Sequence, residues 1–273
     1  MIVSFNPIYP GDRFIWLNHW IDPGIQELLK EARAVVLPQT IARTTYYFVR
    51  SQCPCVYPNY DARFMWEGKV GDAFLAWKLG IPHPPTTVFP KVVSLIGDHP
   101  EVGKPPFTLP EMPFVIKANS GGEGSGTWLI RSKGDLDVAI AALKKEELMG
   151  RSGFVVQEFL PGLERTLRVV VIGRHIESYW RVGEGGGFYS NVARGARIER
   201  EIEGMEKGLG EALVRQIVEA TGINLAGFDI YFQGGKPGLL EINYTFGLAG
   251  IGGLERFEEI FKREVEAWLK GVS

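Results

Sequence analysis

Eight residues, Asn119-Ser120-Gly121-Gly122-Glu123-Gly124-Ser125-Gly126, lie between two runs that read as strands, Phe114 to Lys117 and Thr127 to Ile130. Glycine there lets the backbone approach a ligand closely and turn successive N–H groups toward an anion. The order strand, glycines, strand excludes two common phosphate-binding designs. A dinucleotide fingerprint runs from strand into helix, and a P-loop carries Gly-Lys before Ser or Thr. The run reads as a hairpin flap over a phosphate chain, with a plain glycine-rich hairpin tip as the alternative. Lys117, just before it, and Lys69, at the start of an upstream helix, are compact cations suited to phosphate charge.

The rest of the chain interleaves helices with hairpins. Ile25 to Ala32 and Lys69 to Leu79 read as helices, the second stopped by Gly80 and a proline-rich stretch. Ala34 to Leu37 and Cys55 to Tyr57 read as short strands. Asp135 to Met149 is expected to be a helix capped by Asp135, followed by a strand from Phe154 to Phe159. Gly173-Arg174 joins Leu167–Ile172 to His175–Val182 as a two-residue hairpin. A helix over 203–221, a hairpin of Ala226–Phe232 with Gly238–Asn243, and a helix over Leu254–Leu269 complete the pattern. This is α+β, with two α+β lobes rather than one doubly wound sheet. The boundaries fall at a shortened N-terminal region, 1–89, a central lobe with the glycine flap, 90–161, and a C-terminal lobe, 162–273.

The second hairpin carries the strongest constellation. Glu241 and Asn243 are two apart on one strand and share a face. A hairpin centre near Gly235 or Lys236 puts Asp229 on that face in either register. Two carboxylates and an amide oxygen among apolar neighbours are hard ligands suited to Mg²⁺ held jointly with phosphates. A solvated outer hairpin face is the alternative.

The strand end Gln157-Glu158-Phe159-Leu160 can offer backbone groups to an adenine edge, with Glu164 beyond it for ribose hydroxyls. Read by pattern alone, these are hinge and core residues. Arg168, inside a strand, is expected to face a polar cleft and bind phosphate or a carboxylate. Arg194 and Arg197 either extend that anion-binding surface or are solvated. The four histidines lack metal-ligand spacing, and His83, between prolines, reads as structural. Cys53 and Cys55 read as reduced thiols.

These pieces, in this order from about Asp61 to Gly253, resemble the ATP-grasp superfamily and, within it, the RimK-like branch. That branch includes ribosomal-protein glutamate ligase, lysine-biosynthesis ligases and bacterial glutathione synthetase. The resemblance rests on Gly68-Lys69-Val70 with Leu79 to Thr86, Pro113 to Lys117 with its flap, Gln157 to Leu160, Ala226 to Ile230, and Leu240 to Asn243. It implies an ATP-grasp fold whose two lobes clamp the nucleotide, preceded by a short α/β region.

The same resemblance implies that Lys69 and Lys117 contact phosphates, and that the flap (Gly121, Gly122, Gly124, Ser125, Gly126) covers the β- and γ-phosphates. Gln157, Glu158, Phe159 and Leu160 would line the adenine, and Glu164 the ribose. Asp229, Glu241 and Asn243 would hold one or two magnesium ions, with manganese as a substitute. Arg168 would stabilise the transferred phosphoryl group or the acyl phosphate, beside Asn191 and Arg194.

The implied activity is an ATP-dependent carboxylate–amine ligase acting on small-molecule or peptide carboxylates and amines. Alternatives are a small-molecule kinase or a nucleotide-binding module without ligase activity. Three departures from the family pattern bear on this choice. Thr166 stands where relatives often have Asp, Tyr189 where they have Arg, and Ala196 breaks a glycine pair. A formal net charge of -2 argues against nucleic-acid or anionic-membrane partners. No run approaches the ~18 apolar residues of a membrane helix, and no basic segment precedes an apolar run at Met1–Pro10. A cytoplasmic protein is expected, and a homo-oligomer is compatible with the sequence.

Overall fold

A computed structural model describes residues 1–16, 22–96, 109–120, 126–183, 197–200 and 204–272. The flap residues 121–125 and the segment carrying Tyr189, Asn191, Arg194 and Ala196 lie outside the described residues. Expectations about them are neither met nor broken here.

Three sheets organise the described residues. The first is parallel, in the order β2 (Arg13–Phe14), β1 (Ile2–Ser4), β3 (Ala34–Val36), β4 (Val56–Tyr57), with α1 (Pro23–Glu31) and α2 (Arg43–Gln52) in its connections and α3 (Asp61–Met65) after its last strand. The second follows α4 (Gly68–Leu79). It is antiparallel, in the order β5 (Thr86–Phe89), β8 (Phe154–Glu158), β6 (Phe114–Ala118), β7 (Thr127–Ile130), with α5 (Val93–Ile96) and α6 (Lys133–Leu148) beside it. The third is antiparallel, in the order β11 (Arg197–Glu199), β10 (His175–Val182), β9 (Arg165–Ile172), β12 (Leu225–Gln233), β13 (Lys236–Asn243), with α7 (Met205–Thr221) and α8 (Leu254–Leu269).

The second sheet has its own core, built on Phe89, Phe114, Ile116, Leu143 and Phe154. The first sheet does not. Its Val3, Val35 and Tyr57 bury together with Phe257, Phe261 and Val265 of α8 and with Val170 and Ile172 of β9. The N-terminal sheet is thus closed by the last helix of the chain.

Two sequence readings are corrected. Ser132, not Asp135, caps α6: its hydroxyl accepts from the Asp135 N–H at 3.2 Å, and the Asp135 carboxylate reaches back to the Arg131 N–H at 3.0 Å. This is a reciprocal capping arrangement, with Asp135 at the third helical position. The β12–β13 turn is also tighter than the expected five-residue loop. Gln233 pairs with Lys236, leaving only Gly234 and Gly235, both at positive φ (58° and 74°) as a two-residue hairpin turn demands.

Candidate active site

The tight turn has a consequence four pairs further on. With strict alternation from Gln233↔Lys236, Asp229 would face Leu240, and Glu241 would point to the other side of the sheet. The register instead shifts between Asp229 and Ile230, so Ile230 pairs with Leu239 and Asp229 with Glu241. One extra residue, a β-bulge, places both carboxylates on one face. The expected shared face of Asp229, Glu241 and Asn243 is therefore present, through a bulge the sequence pattern did not specify.

Neighbouring registers extend this pair into a row across the sheet. Asp229 faces Arg168 on β9, and Arg168 faces Tyr179 on β10. The Arg168 guanidinium grips Asp229 with both arms, Nε to Oδ1 at 2.5 Å and Nη2 to Oδ2 at 3.0 Å. Arg181, two residues beyond Tyr179 on the same strand face, reaches Asp229 Oδ1 at 2.6 Å. Asn243 Nδ2 donates to Asp229 Oδ2 at 3.2 Å. All of these groups are buried or nearly so. Burial alone would raise the Asp229 carboxyl; Arg168 and then Arg181 outweigh it and hold the group at about 2. Arg181 was missed by sequence reading. Its alternation with Tyr179 was the available signal, but an arginine near a strand end usually reads as solvated. The buried Thr166 sits beside it, its hydroxyl accepting from Arg181 Nη2 at 3.4 Å.

The opposite wall is built from α4 and β6. Lys69 lies in the first turn of α4 and its Nζ meets Glu241 Oε2 at 2.7 Å. Burial opposes the Lys69 charge, but Glu241 outweighs it and raises the ammonium above its ordinary value. Glu241 is correspondingly lowered, chiefly by Lys69 against the effect of burial. What positions Lys69 is remote in sequence. Glu67 offers α4 no side-chain cap; Asn119, at the base of the flap, supplies one by accepting the Val70 N–H on Oδ1 at 2.9 Å. Gly68 permits this approach: it is at φ 73°, and a Cβ there would lie 2.2 Å from the Asn119 carbonyl oxygen.

Lys117 on β6 is 8% exposed, and burial pulls its ammonium down to about 8 despite Glu241 nearby. Asp72, one turn along α4 from Lys69, is also buried. It accepts the Ile242 N–H at 3.3 Å, and burial pushes its carboxyl up to about 7 against the pull of Lys69.

The strand end at Glu158 is shaped by a proline. The Glu158 N–H donates to the Pro85 carbonyl at 3.0 Å, extending the β5–β8 ladder by one pair. Proline has no N–H to return, so the Glu158 carbonyl is denied its ladder donor and is available to a ligand. Gln157 turns its buried amide to Thr86 Oγ1 at 2.9 Å, beside His83. His83, lowered to about 4 by burial and then by Lys117, belongs to this structural network. Phe159 and Leu160 are half-buried, and Glu164 is exposed. Gly126 closes the flap at φ 72°, its carbonyl accepting from Ala118 N at 2.8 Å.

Two carboxylates and an asparagine on one face are oxygen donors of the kind a magnesium ion takes. Among the described residues no group of three His, Cys, Asp or Glu side chains can hold a metal alone. Such an ion would need ligand oxygens as well, which is how magnesium is usually held beside phosphates.

The family described as RimK-like ATP-grasp domain matches residues 94–260, more than half of the chain. A "Probable alpha-L-glutamate ligase" from Xanthomonas oryzae pv. oryzae is 30% identical over 166 residues, covering 59% of this chain and 54% of that protein. The chain thus spans about half the length of the curated relatives it matches. A RimK domain ATP-grasp protein from Sphaerobacter thermophilus superposes with a TM-score of 0.59 at 17% identity, covering 86% of this chain and 81% of that one. An L-amino acid ligase from Bacillus licheniformis superposes with a TM-score of 0.63 at 14% identity, covering 93% and 65%. These likenesses establish the ATP-grasp fold.

Proposed function

The chain belongs to the RimK-like ATP-grasp family, and from that membership we propose that it is an ATP-dependent carboxylate–amine ligase. A carboxylate oxygen attacks the γ-phosphorus and the bond to the β-phosphate bridging oxygen breaks, releasing ADP. An amine nitrogen then attacks the acyl carbon, phosphate leaves, and the nitrogen loses its proton. The observation that carries this reading is the meeting of the two walls: Lys69 of α4 against Glu241 of β13, with the buried Lys117 within electrostatic reach of both and Asp229 paired with Arg168.

In this reading Lys69 and Lys117 hold phosphate oxygens, and Gly121, Gly122, Gly124, Ser125 and Gly126 cover them. The Glu158 carbonyl and the Leu160 N–H read adenine, with Glu164 near the ribose. Arg168 supports the negative charge that develops during transfer, where a preorganised cation in a dry site is worth most. Asn191 and Arg194 act at the acyl group. Asp229, Glu241 and Asn243 hold magnesium, which would neutralise charge on the phosphate oxygens. Residues 1–89, 90–161 and 162–273 serve as substrate-side, central and C-terminal lobes, except that β5 (Thr86–Phe89) belongs to the central sheet. We place the enzyme in the cytoplasm, a reading supported by the free thiols of Cys53 and Cys55. No helix of the described residues is long and apolar enough to cross a membrane.

The test is ADP release across pools of amino acids and small carboxylates, with hydroxylamine present. Hydroxamate formed with ADP is the expected result. A stable phosphorylated product instead would make the protein a kinase, and magnesium-dependent ATP binding without turnover would make it a binding module.

A further inference from the structure

Strand β13 lies at the edge of its sheet, so every second backbone N–H on it points away from β12 and needs another acceptor. Leu239 is one such residue, and its N–H donates to the Pro82 carbonyl at 2.8 Å. Strict alternation from Leu239 would turn the Glu241 N–H outward and the Ile242 N–H inward. The bulge reverses that order. The register passes over Leu240, and the next outward N–H belongs to Ile242, three residues on rather than two. This donor lies between Glu241 and Asn243, the two β13 residues that would hold magnesium. Its acceptor is Asp72 Oδ2, at 3.3 Å in a buried setting.

Asp72 is only 4% exposed, and a carboxyl in so dry a place costs stability unless its oxygens are used. Two contacts fix where it stands. The Val70 N–H, in the same turn of α4, is held by Asn119 at the base of the flap. Gly71, next to Asp72, packs so closely that a Cβ would lie 2.1 Å from the Trp66 carbonyl carbon. The helix is thus anchored on the central sheet, and Asp72 carries that anchorage to β13. Its oxygen accepts whether or not the carboxyl is ionised, and an amide oxygen in its place would accept too. An aliphatic side chain would leave the Ile242 N–H buried and unpaired. The strand would then gain by slipping into the regular register, which turns Glu241 to the far side of the sheet.

We propose that Asp72 is a positioning residue for the metal site: by accepting the Ile242 N–H it holds the bulge that keeps Glu241 and Asn243 on the face of Asp229. This deepens the ligase reading and rests on it for the metal itself. The test takes two readouts on the full chain: Mn²⁺ affinity at saturating ADP, from the electron paramagnetic resonance of the free ion, and amide hydrogen exchange at Ile242, with Leu239 as internal reference. In the wild type the Ile242 amide should be protected to within about tenfold of the Leu239 amide. Exchange at the rate of an open amide overturns the proposal without any variant. Asp72→Asn keeps an acceptor oxygen, Asp72→Leu keeps the size without one, and both are neutral, so charge drops out of their comparison. Asp72→Leu should bind Mn²⁺ about tenfold or more weaker than Asp72→Asn and expose the Ile242 amide. ADP affinity without metal should be the same in the two. Equal Mn²⁺ binding by the two variants overturns the proposal. Should Asp72→Leu not fold, Asp72→Asn still decides, since loss of Ile242 protection there overturns it as well. No Mn²⁺ binding by the wild type at saturating ADP would strike the metal reading and the positioning role with it, while exchange at Ile242 that depends on residue 72 would leave the tie as a structural one.

Discussion

The two walls of the cleft handle buried charge in opposite ways. On the sheet wall, Asp229 is matched on the spot by Arg168, Arg181 and Asn243, and its carboxyl is driven far below its ordinary range. On the helix wall, Lys69 finds Glu241, but Lys117 is buried with less compensation and is pulled down to about 8. A self-neutralised network contributes order to the empty protein. An under-compensated cation costs stability until an anion arrives, which is how a phosphate site differs from a scaffold.

The largest effect should come from breaking the balanced wall. Asp229→Ala leaves two guanidiniums buried without a partner and should cost roughly 3–5 kcal/mol in urea unfolding, along with turnover. A loss below about 1 kcal/mol would mean the arginines find water or another acid, and the contrast between the walls would dissolve.

Lys117→Met should do the reverse to the empty protein. Turnover should fall by about a hundredfold or more, while stability at pH 7 rises by about 1–3 kcal/mol. The sign follows from linkage. The folded pKa of about 8 lies below the unfolded lysine value of roughly 10.4, so between them the unfolded chain holds a proton the folded chain has released. Stability contributed by this group therefore rises with pH across that window, and in the methionine variant the rise should vanish. A less stable Lys117→Met would show the lysine to be a structural partner.

The same titration sharpens the contrast in binding. As pH climbs through about 8, free protein loses the Lys117 charge, so Mg-ADP affinity should fall by about tenfold between pH 7 and 9.5. Lys117→Met should flatten that profile. Asp229, held at about 2, should contribute no pH dependence over this range. The smallest effect concerns the strand end. Pro85→Ala supplies the missing N–H to the Glu158 carbonyl and should weaken Mg-ATP by about three- to tenfold; unchanged affinity would remove that carbonyl from the adenine site.

Much of this was legible in the chain. The bounds of β7, β10 and α8 follow from alternation and helical spacing, and Gly173-Arg174 fixes the β9–β10 register. The pairing of Asp229 with Glu241 was legible only as one of two registers, because the bulge depends on packing rather than pattern. Helix α2 was not legible: Thr44, Thr45, Tyr46, Phe48 and Val49 are β-branched or aromatic, and burial of Tyr46 and Val49 overrides their local preference. The Asn119 cap of α4 was hidden for another reason. It joins residues 49 positions apart, beyond any local signal.

The core shared between the first sheet and the final helix has a consequence for how the polypeptide is made. Strands Ile2–Ser4 and Ala34–Val36 cannot complete their shared core until Phe257, Phe261 and Val265 have been synthesised. At about 5–20 residues per second, some two hundred intervening residues impose a wait on the order of ten seconds or more. During translation these strands therefore lack their α8 cover until the final helix has been made.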